Sequence, residues 1–387
     1  MSDEQLQSQL NSPVVLFSVF MVGALGIVGF QVVPAMAIGM ITDLSFNEIQ
    51  VGRVGSAQLW GIALGALITL PMVKKFNWRT IACIGLGGMI LSDLASILLN
   101  EYNAFLVVRF LQGTAGGVSV SFAYYALGNT RLVDRNFGLF LSVQVVIAIL
   151  ANMFLPAMVE ANGIAVIFIA LVTLEVITLL VLVRKIPNME VKEHADAGTN
   201  TSSTWFYCVS QLLSILCFFI AIGGVWVYLA PIGLDAGLTE QATGRAISIG
   251  LFGGLAGSFV AAQLNIKWGR ILPVIVSAGI MLAAVALLYS GFDYALFMLA
   301  AGLFVFGWYF YFPYQPGTLA EFDRAGRPMI LVNFVAGVGS GAGPFVVSIF
   351  LEGNFVPAYV VTVTFLVLSV LVTIFNIITG RKQMKSA

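Results

Sequence analysis

The sequence predicts an all-α membrane protein: twelve transmembrane helices, arranged as two six-helix bundles in a parallel pseudo-two-fold repeat. Three observations carry this reading. Of the 387 residues, 59% are hydrophobic and only 9% charged, with a mean hydropathy of +0.99. A soluble domain carries about 25% charged residues, so this chain cannot cover its own surface with polar groups and its solvent is largely lipid. Twelve segments are long and apolar enough to span a bilayer, which takes about 20 residues each. The first half of the chain is also echoed in the second at a constant distance along the sequence.

The spans fall at approximately 14–40, 51–73, 79–98, 104–128, 137–159 and 164–184, then 205–231, 242–264, 271–290, 295–319, 329–351 and 357–380. Helices are the open-ended elements that satisfy their own backbone in lipid, which excludes strands at these positions. Most connections are short. The exception, 185–204, gathers Pro187, Glu190, Lys192, Glu193, His194 and Asp196 before a Gly-Thr-Asn-Thr-Ser-Ser-Thr run. It separates six spans from six, giving a bundle over 14–184, a linker over 185–204 and a second bundle over 205–380. Residues 1–13 and 381–387 are polar tails. The first carries Asp3 and Glu4 but no basic residue, unlike the basic start of a secretory signal, and is expected to be cytosolic.

The repeat is clearest around spans two and eight. An offset of 192 carries Glu48 to Glu240, Gly52 to Gly244, Arg53 to Arg245 and Ser56 to Ser248. The same offset carries Gly61 to Gly253, Gly65 to Gly257 and Lys75 to Lys267. Each copy opens on an acid and an arginine and continues into an apolar run with a G-x-x-x-G. Each closes on a basic turn, Lys74-Lys75-Phe76-Asn77-Trp78-Arg79 and Lys267-Trp268-Gly269-Arg270. Shared charges at one register, where charges are scarce, mark a duplicated unit of about half the chain. The G-x-x-x-G pairs are expected to let helices approach closely in lipid.

Charge sets the expected orientation. Fifteen of the eighteen Lys and Arg residues fall on the side shared with the termini, in the turns after spans two, four, eight and ten, in the linker and in the last tail. Both termini are therefore expected in the cytoplasm of a multi-pass cell (inner) membrane protein. The zero net charge argues against nucleic acid as a partner. Cys83, Cys208 and Cys217 lie in apolar runs without C-x-x-C spacing and read as small buried hydrophobes. With one histidine, His194, in the linker, no metal, cofactor or histidine-based catalysis is expected. A monomer in the bilayer is expected.

Twelve spans as six plus six in parallel repeat resemble the major facilitator superfamily. Arg109-Phe-Leu-Gln112-Gly113 in span four is similar to that superfamily's R-x-x-Q-G signature. The basic turns after spans two and eight are similar to its loop signature, D-R-x-G-R-[RK]. Asp134-Arg135 and Asp323-Arg324, after spans four and ten, recur between the halves. Two departures stand out. Lys74 and Ile266 stand about where the loop signature has its aspartate, which removes the basis for a cytoplasmic latch built on that residue. Span five offers only Leu155-Pro156 for the antiporter-type glycine-proline signature, while a similar string, Gly337 to Pro344, lies in span eleven. Antiport is therefore not readable from that signature.

Three charges lie well inside the spans: Asp93, Arg109 and Glu175. Ionisable groups at membrane depth are expensive, and functional by default. Asp93 and Arg109 each lie about five residues from one end of consecutive antiparallel spans and are expected to pair, either as coupling groups or as a static ion pair. Glu175 reads either as a proton-binding residue or as a neutral acid bonded to a neighbour. The resemblance implies that spans one, four, seven and ten line a central cavity. That would bring Gln31, Gln112, Ser119, Trp226, Tyr228, Trp308, Tyr311 and Gln315 toward a small molecule with a ring or apolar body; an aromatic stripe is as often core packing. It also places span two against span eleven and span five against span eight. Arg53 to Glu352 and Arg245 to Glu160 then read as gate bridges, or each arginine pairs locally with Glu48 or Glu240.

No phosphate loop is present: the glycines of span eleven follow no strand and precede no G-K-[ST]. The energy source is therefore an ion or substrate gradient. The sequence as a whole reads as a secondary active transporter of a small organic compound by alternating access, with proton-coupled export foremost. Uptake or facilitated diffusion on the same fold is the alternative. A non-transporting receptor or scaffold would need a charged cytosolic module that is missing, and an enzyme would need a nucleophile–base set that is not visible.

Overall fold

A computed structural model describes residues 9–46, 48–187, 202–323, 327–350 and 354–380. Among them no strand forms; a single isolated bridge joins Lys267 to Gly269. Eleven helical segments, from Arg53–Val73 to Val356–Gly380, are long and apolar enough to cross a membrane. The first span is interrupted: its helix Pro13–Gln31 ends at Val32 and resumes as Val33–Thr42, with a proline in the first turn of the second piece. Spans seven and ten are interrupted likewise, seven between Ser202–Trp226 and Leu229–Asp235, ten between Tyr294–Tyr311 and Tyr314–Phe322. Pro231 and Pro313 lie beside these breaks, where a ring without an N–H cannot continue the helical hydrogen-bond ladder.

Two compact units form. One comprises Met1–Arg131, Val143–Ala197 and Met329–Phe334; the other comprises Leu132–Ser142, Gly198–Pro328 and Val335–Ala387. Residues 188–201 of the expected linker, His194 among them, lie outside the described residues.

The repeated glycines decide how each unit packs. In the first unit span two (Glu48–Lys75) lies along span four (Tyr102–Gly128). A methyl group at Gly61 would overlap the Phe110 carbonyl oxygen, and one at Gly65 the Thr114 carbonyl oxygen. Span four answers with Gly113 and Gly117, whose added methyls would overlap the carbonyls of Gln58 and Ile62. The second unit repeats the device: Gly253 and Gly257 of span eight sit against the carbonyls of Gly302 and Phe306 in span ten. These are backbone-to-backbone contacts, open only to residues without a Cβ.

Caps close the helices at the end of each unit opposite the linker, here the far end. The Glu101 carboxylate accepts from Asn103 N at 2.9 Å and Ala104 N at 2.8 Å and so starts span four. Those backbone hydrogen bonds hold its carboxyl below the usual carboxylate range. Asp293, 192 residues on, starts span ten by accepting from Leu296 N at 2.8 Å. At the linker end Arg79 donates to the carbonyls of Arg184 (3.1 Å) and Ile186 (2.9 Å), satisfying the last turn of span six. That span changes winding on the way, from an α-helix over Ala165–Ile177 to a π turn over Thr178–Leu182 and a short 3-10 turn over Val183–Lys185.

Candidate functional site

Each of the three intramembrane charges sits on the inward stripe of its helix. In span three (Trp78–Leu98) the buried face runs Ala82, Leu86, Met89, Asp93, Ser96, in steps of three and four. In span four it runs Phe105, Arg109, Gln112, Gly116, and in span six Phe168, Leu171, Glu175, continued by buried Thr178. All three stripes converge within the first unit. Asp93, Arg109 and Glu175 are each 0% exposed.

Arg109 is held from three directions. Its Nη1 donates to Asp93 Oδ1 and lies 3.3 Å from Ser96 Oγ. Its guanidinium also stands over the Phe168 ring, 5.4 Å from the centroid, a favourable place for a cation. The Glu175 carboxyl lies within interaction range of both Asp93 and Arg109. Neither Glu175 oxygen, nor Asp93 Oδ2, receives a hydrogen bond among the described residues. Toward the far end, Phe105 packs on Phe168 and Phe46 on Phe105, with centroids 6.0 and 5.7 Å apart, and Tyr102 packs on Phe46. These rings form an aromatic layer on that side of the trio.

The second unit holds a different network, wholly uncharged. Ser214 of span seven bonds Thr373 Oγ1 at 2.7 Å and the Ser369 carbonyl at 2.8 Å in span twelve. The Tyr311 hydroxyl reaches Ser369 Oγ and Thr373 Oγ1 at 3.2 and 3.3 Å, and Gln315 Nε2 donates to Ser369 Oγ at 3.1 Å. Gln211 and Asn376 extend the chain through a 2.9 Å bond. Every member is fully buried, so spans seven, ten and twelve are tied by side chains that offer donors and acceptors but no charge.

A third cluster lies at the linker end of the second unit, which includes Leu132–Ser142. Arg270 forks onto Asp134, Nε to Oδ1 at 2.8 Å and Nη2 to Oδ2 at 2.7 Å, and its Nη1 reaches Glu321. Burial lowers the pKa of the guanidinium, and Asp134 and Glu321 more than reverse this, so it stays charged. The basic turn thus finds its acids at the starts and ends of other spans, without the aspartate that Ile266 replaces. With Arg270 6% and Asp134 3% exposed, we expect Asp134→Asn to lower stability by about 3–5 kcal/mol, the cost of breaking a buried pair from one side. Thermal unfolding of the purified variant checks this; a midpoint equal to wild type would show that the pair is immaterial to the fold.

The family model described as Major Facilitator Superfamily matches residues 15–344. The chain belongs to the major facilitator superfamily. No curated protein matches it. Among solved structures it is similar to FucP, a transporter of the superfamily, in its outward conformation, with a TM-score of 0.77 at 15% identity over 95% of this chain and 99% of that one. It is also similar to a substituted form of the E. coli fucose:proton symporter FucP, with a TM-score of 0.74 at 16% identity and the same coverage. At this identity the likeness is one of fold.

Within the superfamily fold the other expected residues are placed as follows. Gln31 ends the first helical piece of span one, and Trp226 and Tyr228 flank the break in span seven; all three are half-buried. Gln112 is buried and accepts from Gln58 Nε2 of span two at 2.6 Å. Ser119 is buried against Met89 of span three, 3.7 Å from its sulfur. Trp226 and Trp308 meet edge to face with centroids 5.8 Å apart, and the Tyr228 hydroxyl donates to the Pro344 carbonyl at 3.2 Å. Arg53, Glu160 and Arg245 are exposed near the far ends of spans two, five and eight, and Glu352 lies outside the described residues. The sequence reading did not pick out Gln58, Ser96, Thr178 or the Ser214, Ser369 and Thr373 hydroxyls. Their signal was polar residues three or four apart inside apolar spans, as in Ser369, Thr373 and Asn376.

Proposed function

We propose that this superfamily member is a secondary active transporter that couples a small organic compound, with an aromatic or amphipathic body, to protons by alternating access. The observation that carries the coupling is the fully buried Asp93–Arg109–Glu175 cluster, since a membrane-embedded carboxyl is the chemistry a proton-driven carrier needs. The similarity to a fucose:proton symporter is consistent with it. The half-buried aromatic pair Trp226–Trp308 supports a ring-bearing or apolar substrate. The concentration of basic residues in the linker-end turns supports cytoplasmic termini in a cell (inner) membrane.

The test is flux in proteoliposomes across a panel of aromatic and cationic compounds, with and without an imposed pH gradient. One coupled proton supports accumulation of about tenfold per pH unit, since one unit is 1.36 kcal/mol. Export, the direction expected above, moves substrate against the proton flow and uptake moves it along, so the sign of the flux decides between them. Glu175→Gln and Asp93→Asn should abolish gradient-driven accumulation while sparing substrate exchange. Full accumulation in both variants would sink proton coupling through this cluster.

A further inference from the structure

Three fully buried ionisable groups with two negative formal charges and one positive do not balance. With both carboxyls ionised, Asp93, Arg109 and Glu175 would leave one net negative charge in a medium where an uncompensated ion costs several kcal/mol. Among the described side chains the packed spans provide no remedy. Span one, packed against spans three, four and six, has no ionisable side chain over Pro13–Gln31. Of their charged side chains, span three contributes Asp93, beside the Ser96 hydroxyl, and at its linker end Arg79, which is bound to the carbonyls of Arg184 and Ile186; span four contributes Arg109; span six contributes Glu175, beside the Thr178 hydroxyl, and Arg184 and Lys185 in its last turn. Span two packs mainly on span four through its glycines, and its charged side chains among the described ones, Arg53 and Lys75, are exposed.

The hydrogen-bond pattern shows the same deficit. Arg109 serves one Asp93 oxygen; the other, and both of Glu175, receive no hydrogen bond among the described residues. Ionised carboxylates only accept, so two of them side by side repel. Adding one proton removes the excess charge and engages two of these three oxygens. The trio becomes neutral, and the new O–H donates across the gap from one carboxyl to the other, a charge-assisted bond of the strong kind. Glu175 is the natural holder, because Asp93 already carries the arginine.

We infer that Asp93, Arg109 and Glu175 form a site for a single exchangeable proton, shared between the two carboxyl groups and balanced by the guanidinium. The two states are Asp93⁻, Glu175–H, Arg109⁺, with no net charge, and Asp93⁻, Glu175⁻, Arg109⁺ plus a released proton. This deepens the proposed function and, as a coupling site, rests on it. Geometry favours the linker side for release. The Phe46, Tyr102, Phe105 and Phe168 rings cover the far side. On the other side Thr178, one turn beyond Glu175 on the same stripe, has a buried hydroxyl without a partner among the described residues, at the start of the π turn. Wide turns of this kind recur at functional positions.

The charge count makes an unusual demand on variants. Either carboxyl replaced by its amide leaves one acid and one arginine, already neutral, so the proton should vanish from Asp93→Asn as fully as from Glu175→Gln. The measurement is infrared absorption of the full chain in lipid membranes, following the C=O stretch of a protonated carboxyl across a pH titration. We expect the wild-type band to fade as pH rises and to be lost in each single variant. A wild type without the band, a band that no pH removes, or one that persists in either variant overturns the site. No substrate enters this measurement. The band without gradient-driven flux in proteoliposomes would refute the transport reading alone; gradient-driven flux without the band would refute the site alone.

Discussion

Arg109→Gln should be among the most damaging single substitutions in the first unit, costing about 3–5 kcal/mol. Two carboxyl groups would then face each other at zero exposure with no cation between them, and the Phe168 ring would lose the guanidinium above it. The double variant Arg109→Gln/Asp93→Asn should recover much of the loss, because only Glu175 is left and a single acid can be neutral. Unfolding midpoints of purified wild type, both single variants and the double variant make the comparison. A double variant no more stable than Arg109→Gln would mean that the charges are independent and the trio is not one site.

The second large effect belongs to the glycines. Gly65→Ala should destabilise by about 1–3 kcal/mol or more, the range for overpacking, because the new methyl meets the Thr114 backbone, which cannot turn aside like a side chain. Gly61→Ala in the same chain should add to it. Gly87 in span three and Gly279 in span nine have nothing within 4 Å of an added methyl. Alanine there should be neutral or slightly stabilising, since alanine is the better helix former. Yield of monodisperse protein after detergent extraction and the unfolding midpoint report both. Gly65→Ala behaving like Gly87→Ala would show that spans two and four do not depend on their close approach.

Much of the fold was legible because lipid simplifies the code. Span length, charge scarcity and the 192-residue offset are one-dimensional signals, and the helices follow them. The Asp93–Arg109 pair was legible for a related reason: neighbouring antiparallel spans return to the same depth after a short turn, and both residues lie near it. Glu175 was visible as a charge, but nothing in the sequence says that span six lays that stripe against span three. The Arg270–Asp134 pair was hidden more deeply. Its partners are 136 residues apart, and the family signature directs attention to an aspartate that is absent here. Tyr311 and Gln315 were found as a stripe, while their partners in span twelve required knowing which helix lies opposite.

The charged trio of one unit and the neutral network of the other have a further meaning when the 192-residue offset is applied to them. Asp93, Arg109 and Glu175 correspond to Val285, Ala301 and Val367, and in the other direction Ser214, Ser369 and Thr373 correspond to Val22, Ile177 and Val181. At these six positions each half is greasy where its twin is polar. The duplicated copies have therefore specialised and are no longer interchangeable. A carrier assembled from two first halves would hold two charged trios, and one assembled from two second halves would hold none. The count of one trio per polypeptide is a property of the fusion itself, set by which copy bears ionisable residues and which does not.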